Sequence, residues 1–150
     1  MYVNIPLQLP SKGISVESKV RREYLTKNLR EIAYDHPQTR QIYLLIFHQC
    51  INADHRDHHL LCHMKCRMNG VEINETPKFL LNNPNESSHA IVVEDTEGST
   101  LLVIPLLING FTSYFTCRNP ARSEYEDGDL PRIDLSAEIP DWYSSDRDYD

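Results

Sequence analysis

The densest group of chemically active side chains lies between residues 48 and 66, where five of the seven histidines and three of the four cysteines occur. Zinc is bound tetrahedrally by imidazole nitrogens and thiolate sulfurs, so this composition suits a zinc site. If the segment is helical, residues four apart share a face. The ligand set that this spacing predicts is His55, His59, Cys62, His63 and Cys66.

A second interpretation of the same segment stays open. It contains no Cys-x-x-Cys pair, and ligands crowded on one helix do not close a tetrahedron without another segment. Cysteines are also common small apolar residues of buried helix faces. The cluster at 48–66 is therefore either a small zinc-binding or partner-binding module, or part of a core with no cofactor.

Other catalytic patterns are absent from the sequence. There is no Gly-x-Ser-x-Gly, no phosphate-binding Gly-x-x-x-x-Gly-Lys and no Gly-x-Gly-x-x-Gly. Asp35 lies in a Pro-containing turn, and Asp54 and Asp57 lie in a polar His-rich loop. We therefore expect all three to be ordinary surface acids. The residues predict no catalytic site and hence no enzyme.

The negative charge is concentrated at the C-terminal end of the chain. The formal net charge is −7, and residues 123–150 contain ten acidic residues against two basic ones. Residues 1–122 are thus nearly neutral and lack the excess of basic residues with which proteins bind nucleic acid. The sequence predicts that 123–150 is a disordered acidic linker.

The hydropathy pattern excludes two classes of protein. No apolar run approaches the ~20 residues that span a bilayer, and the N-terminus has no basic and apolar secretion signal. We therefore expect no membrane partner and an intracellular location, cytoplasmic or nuclear, rather than secretion.

The elements that would position these side chains are mainly β-strands. Apolar runs predict strands at 42–47 and 71–74, and a hairpin from 90–93 and 101–104. A second hairpin follows from the Asn109-Gly110 pair between apolar runs, since such turns need residues with positive φ. Helical spacing predicts one helix over 58–68, ended by Gly70. Residues 1–32 form an N-terminal segment that is compatible with a helix or a strand.

Four segments, in order, resemble the protease region of copia-type retrotransposon polyproteins. They run over Ala33–Gln49, His58–Asn74, Glu75–Phe79 and Val103–Pro120, and Ser123-Glu124 and Trp142 resemble the exit toward the integrase. Gly70 and Gly110 coincide with glycines of the family. Two departures stand out: Arg40 replaces a glycine, and Lys65-Cys66 replaces Gln-Leu.

The resemblance implies a partial retropepsin-like β-barrel over 33–122, a domain that pairs as a homodimer in active enzymes. Those enzymes use an Asp-Ser/Thr-Gly triplet from each subunit, and the two carboxylates share a proton. No such triplet occurs in the 150 residues, and we expect it upstream of Met1. The resemblance therefore predicts a non-catalytic remnant or fragment of a retrotransposon polyprotein. An active peptidase with unrecognised carboxylates is the least supported alternative.

Overall fold

The computed structural model describes residues 2–4, 30–48 and 58–136, with the backbone alone at 2–4, 58 and 59. The fold is mainly β, as predicted, with two short α-helices and one 3₁₀ helix in these ranges. The strands are β1 Tyr2–Asn4, β2 Arg30–Asp35, β3 Ile42–Phe47, β4 His58–Leu60, β5 Glu72–Asn74, β6 Ala90–Glu94, β7 Thr100–Pro105, β8 Leu107–Asn109, β9 Thr112–Thr116 and β10 Arg132–Asp134. The helices are α1 His63–Met68, the 3₁₀ helix Lys78–Leu80 and α2 Arg122–Glu126.

The strands form three sheets around one apolar core. Their orders are β4-β1-β9-β8, β10-β3-β2 and β5-β6-β7. Most neighbours are antiparallel, but β1 runs parallel to β9 and β10 parallel to β3. Buried side chains from all three sheets meet in this core, among them Phe47, Ile91 and Phe115. The described strands remain three open sheets, so the expected barrel is not confirmed.

In the described residues, no helix is of the length and apolarity that a membrane crossing requires.

The β2–β3 hairpin closes through a turn that requires one left-handed residue. The His36 and Gln41 backbones pair, and the Arg40 N–H bonds to the His36 carbonyl at 2.9 Å. Two further N–H groups, of Gln38 and Thr39, donate to the His36 Nδ1 atom. Arg40 ends this turn with φ 58°, a region that side chains with a Cβ adopt at a cost. The predicted strand at 42–47 is confirmed, and β2 begins inside the N-terminal segment 1–32, for which the sequence is compatible with both a helix and a strand.

The helix predicted at 58–68 begins later than expected. Residues 58–60 form β4 and pair with β1 across a long stretch of chain, which local periodicity does not reveal. The helix then ends as predicted at Gly70, which has φ 77°. The Gly70 N–H bonds to the Arg67 carbonyl and the Val71 N–H to the Cys66 carbonyl. This pair of bonds is the Schellman motif, which satisfies the last carbonyls of the helix.

Both predicted hairpins are present, with one change at the second turn. β6 pairs with β7, and β8 with β9 through the Asn109 and Thr112 pair. The two central turn residues are therefore Gly110 and Phe111, one position later than predicted. Gly110 has φ 63°, whereas Asn109 does not have positive φ. A glycine at the first central position is the requirement of a type II′ turn.

The prediction of disorder from residue 123 is wrong for the described part of that segment. Residues 122–126 form α2, and β10 pairs with Leu44–Ile46 of β3. Ile133 and Leu135 alternate toward the core, where Leu135 is fully buried. Counting acids over the whole segment hid this alternation, because only two apolar side chains, Ile133 and Leu135, carry it. Residues 137–150 lie outside the described residues.

Candidate functional site

The predicted metal ligands occupy different environments. Cys62 is exposed just before α1, whereas Cys66 is 1% exposed and packs in the core. The His63 Nδ1 atom lies 2.9 Å from a Glu75 carboxylate oxygen. Burial, opposed in part by Glu75, lowers the pKa of His63. His59 lies in β4 with only its backbone described, and His55 lies outside the described residues.

These positions do not converge in the part of the chain that the structure describes. There, no group of three or more His, Cys, Asp or Glu side chains is arranged to hold a metal ion. Cys62 is exposed whereas Cys66 is buried, so these two thiols of the predicted set are not both accessible. The zinc hypothesis stays a prediction, which metal analysis of the purified chain tests.

The strongest polar cluster of the described structure surrounds Arg118, which sequence reasoning did not select. Its guanidinium donates to both Asp35 carboxylate oxygens, at 2.7 and 2.9 Å. It also donates to both Glu124 oxygens, at 2.8 and 2.7 Å. The Arg118 backbone exchanges two hydrogen bonds with Ala33 of β2, at 2.9 and 3.0 Å. We call Arg118, Asp35 and Glu124 the arginine node.

Three separate elements position the arginine node. Asp35 ends β2, Arg118 follows β9, and Glu124 lies in α2. The Glu124 carboxylate also accepts the Ala121 N–H at 2.7 Å, which satisfies an N–H at the start of this helix. Bidentate pairs between arginine and carboxylate are the strong, geometrically specific form of the ion pair. The node therefore fixes α2 against the β2–β3 hairpin.

The electrostatics of the node are those of a permanent ion pair. Hydrogen bonds from Arg118 and from the Ala121 N–H lower the pKa of Glu124 to about 2. The bonds to Glu124 and Asp35 raise the pKa of Arg118 above its usual value. Asp35 lies exposed at the surface, as expected, and is in addition a bidentate partner of Arg118.

This arrangement is the opposite of an aspartic protease centre. Such a centre needs two carboxylates that share one proton and activate a water molecule. At the arginine node, a guanidinium lies between the two carboxylates and keeps Glu124 ionised. The geometry suits a structural link and offers neither a general acid nor a general base.

A second polar pair lies inside the protein between two sheets. The His89 Nε2 atom and the Ser113 hydroxyl oxygen are 3.0 Å apart, and both residues are buried. His89 precedes β6 and has φ 52°, and its carbonyl accepts the Leu106 N–H at 2.9 Å. Burial, with nearby Lys78, lowers the pKa of His89, against an opposing effect of Glu75. The neutral imidazole thus links β9 to the β6–β7 sheet.

Some of these residues could have been found from the sequence. Asp35, Arg118 and Glu124 each fall in one of the short segments singled out from the sequence above. Only their separation along the chain concealed that they meet. His89 gave no signal, because a lone histidine beside a strand has no distinctive spacing. Comparison of the chain with protein-family models, with curated proteins and with solved structures finds no match.

Proposed function

We propose that this chain is a non-catalytic fragment of a copia-type retrotransposon polyprotein, from a retropepsin-like region that lacks the Asp-Ser/Thr-Gly centre. In this role it contributes a folded β segment and no peptide-bond chemistry. The proposal rests on the resemblance of the ordered segments and on backbone features that bear on it independently.

The observation that carries the proposal is the backbone conformation at three positions where the family has glycine. Gly70 and Gly110 have φ values of 77° and 63°. Arg40, which replaces the third glycine, has φ 58°. Apart from Arg40, His89 is the only other described non-glycine residue with positive φ. A left-handed residue where the family uses glycine is what a shared backbone would produce, because glycine adopts this region without strain.

The arginine node supplies a second line of support. Asp35 and Arg118, which are 83 residues apart, come from two of the four resembling segments, and Glu124 comes from the exit motif. Charged positions that recur in separate segments of a family are explained when they form one ion-pair network. The network joins the first and the last of the four resembling segments to the exit motif.

The side chains present support the non-catalytic part of the proposal. The 150 residues contain no Asp-Ser-Gly or Asp-Thr-Gly triplet. The two carboxylates that the arginine node brings together bind a guanidinium rather than a proton and a water molecule. Two copies of the chain would not supply the triplet, since each copy lacks it.

A cleavage assay tests the catalytic part of the proposal. The purified chain is incubated with a mixed peptide library from pH 3.5 to 7.5, with and without a pepstatin-type inhibitor, and pepsin serves as the positive control. We expect no inhibitor-sensitive cleavage at any pH. Cleavage that the inhibitor abolishes would overturn the proposal and favour an active peptidase.

The family part of the proposal has a separate test. Sequencing of the genomic DNA around the coding region should reveal retrotransposon reading frames, with Asp-Ser/Thr-Gly codons on one side and an integrase frame on the other. Flanking DNA that encodes unrelated cellular genes would contradict the assignment even if the chain is inactive.

A further inference from the structure

A cleft of about 330 Å³ lies between the β2–β3 turn and strand β7. One wall is formed by the turn residues His36–Thr39 and by Tyr43, and the other by residues of β7. Lys78 and Glu86 also border the cleft. None of these groups belongs to the arginine node, and the proposed function makes no use of them.

The β7 wall presents the edge of a sheet. Consecutive residues from Thr100 to Val103 line the cleft, although successive side chains of a strand point to opposite faces. A cleft meets consecutive residues when it runs along the backbone edge. Consistent with this, β7 is the outer strand of the described β5-β6-β7 sheet.

The hydrogen-bond alternation identifies which backbone groups face the cleft. The Leu106 N–H bonds to the His89 carbonyl, which continues the β6–β7 ladder. In an antiparallel ladder, the backbone N–H and C=O groups of successive residues point alternately toward and away from the partner strand. Those of Ile104 and Leu102 therefore point toward β6, and those of Val103 point outward. Within the described ranges, no hydrogen bond reaches the Val103 N–H or carbonyl from outside the β6–β7 pair.

The side chains around the cleft suit a polypeptide better than a compact small molecule. Leu101, Val103 and Pro105 add apolar surface, and Leu101 is 52% exposed. Lys78 and Glu86 carry opposite charges, and neither forms an ion pair with another described residue. The outward backbone groups of Val103, an apolar wall and both signs of charge match an extended peptide that has apolar and charged side chains.

We propose that this cleft binds an extended peptide segment as an added strand along β7, paired through the Val103 N–H and carbonyl. The peptide alternates apolar side chains, which face Leu101 and Pro105, with charged side chains that face Lys78 and Glu86. This inference does not depend on the proposed function, because it uses the β7 edge and neither the arginine node nor the family resemblance.

Amide hydrogen exchange of the full chain tests the free edge first. In the free protein, we expect fast exchange at Val103 and slow exchange at Ile104, whose N–H points to β6. Slow exchange at both positions would overturn the proposal, because it would mean that the edge is already covered by the chain itself.

Peptide selection tests binding. A random phage-displayed 12-residue library is selected on the full chain, and the affinities of synthetic copies of the enriched peptides are measured by titration calorimetry. We expect Val103→Pro to weaken them at least about tenfold, since the variant lacks the outward N–H and proline is tolerated at edge strands. The matched control, Val103→Ala, keeps the N–H and should stay within about threefold of the wild type.

The outcomes separate clearly. Peptides that bind Val103→Pro as tightly as Val103→Ala, or a library that yields no enriched peptide, would refute strand addition at this edge. Circular dichroism verifies that both variants fold. If Val103→Pro does not fold, protection of the Val103 amide by the peptide in the wild-type protein decides in its place, and an unprotected amide refutes the proposal.

Discussion

Replacing Arg40 with glycine is expected to stabilise the protein, because Arg40 has φ 58° at the end of the β2–β3 turn. The turn geometry is fixed by backbone bonds of Arg40 and of the His36 and Gln41 pair, which glycine retains. The Arg40 side chain is exposed and forms no ion pair with another described residue. The substitution therefore removes strain and little else.

The size of the gain follows from two opposing terms. A residue with a Cβ in the left-handed region costs about 1–2 kcal/mol relative to glycine. Glycine loses more backbone entropy on folding, which offsets about 0.4–1 kcal/mol of that relief. The net increase in the free energy of unfolding is about 0.5–1 kcal/mol, or about 1–4 °C in Tm for a chain of this length.

Thermal and urea unfolding of Arg40→Gly, Arg40→Ala and the wild type measure this gain. Alanine removes the same side chain but keeps the Cβ, so we expect it within about 0.5 kcal/mol of the wild type. A glycine variant no more stable than the alanine variant would refute the strain at residue 40. It would also remove the observation on which the family assignment rests.

Three further outcomes are expected. Glu124→Gln should lower the free energy of unfolding at pH 7 by about 1–3 kcal/mol, and its difference from the wild type in urea titrations should shrink as pH falls from 4.5 to about 2, the pKa of Glu124 in the folded state. The lowered pKa of His89 should make wild-type stability fall as pH drops below 6.5, and His89→Gln should flatten that dependence; parallel pH profiles of Tm would contradict it. Gly110→Val should lower the free energy of chemical unfolding by about 1–3 kcal/mol, while Asn109→Ala should change it little; equal losses would contradict the assignment of the positive-φ turn position to residue 110.

The local elements could be predicted because their signals are local. The apolar run of β3, the Gly70 helix end and the glycine turn between β8 and β9 each depend on a few neighbouring residues. The errors arose where partners lie far apart in the sequence. β4 pairs with β1, and β10 pairs with β3. Neither β4 nor β10 has a local sequence pattern that indicates a strand, so each is recognised only when its partner strand is known.

The candidate site shows the same division. The dense His/Cys cluster attracted attention through composition, yet Cys66 packs in the core and His63 pairs with Glu75. The arginine node was invisible as a cluster because Asp35 and Arg118 are 83 residues apart. Spacing reveals sites built within one element, whereas this one is assembled by the tertiary fold.

The parallel pairing of β10 with β3 has a consequence for synthesis on the ribosome. Ser136, just after β10, exchanges hydrogen bonds with His48, which lies 88 residues earlier. At about 5–20 residues per second, translation leaves that side of β3 without its partner for about 4–18 s. During this interval the nascent chain exposes an apolar strand edge, so chaperone binding and aggregation compete with folding until residue 136 has emerged.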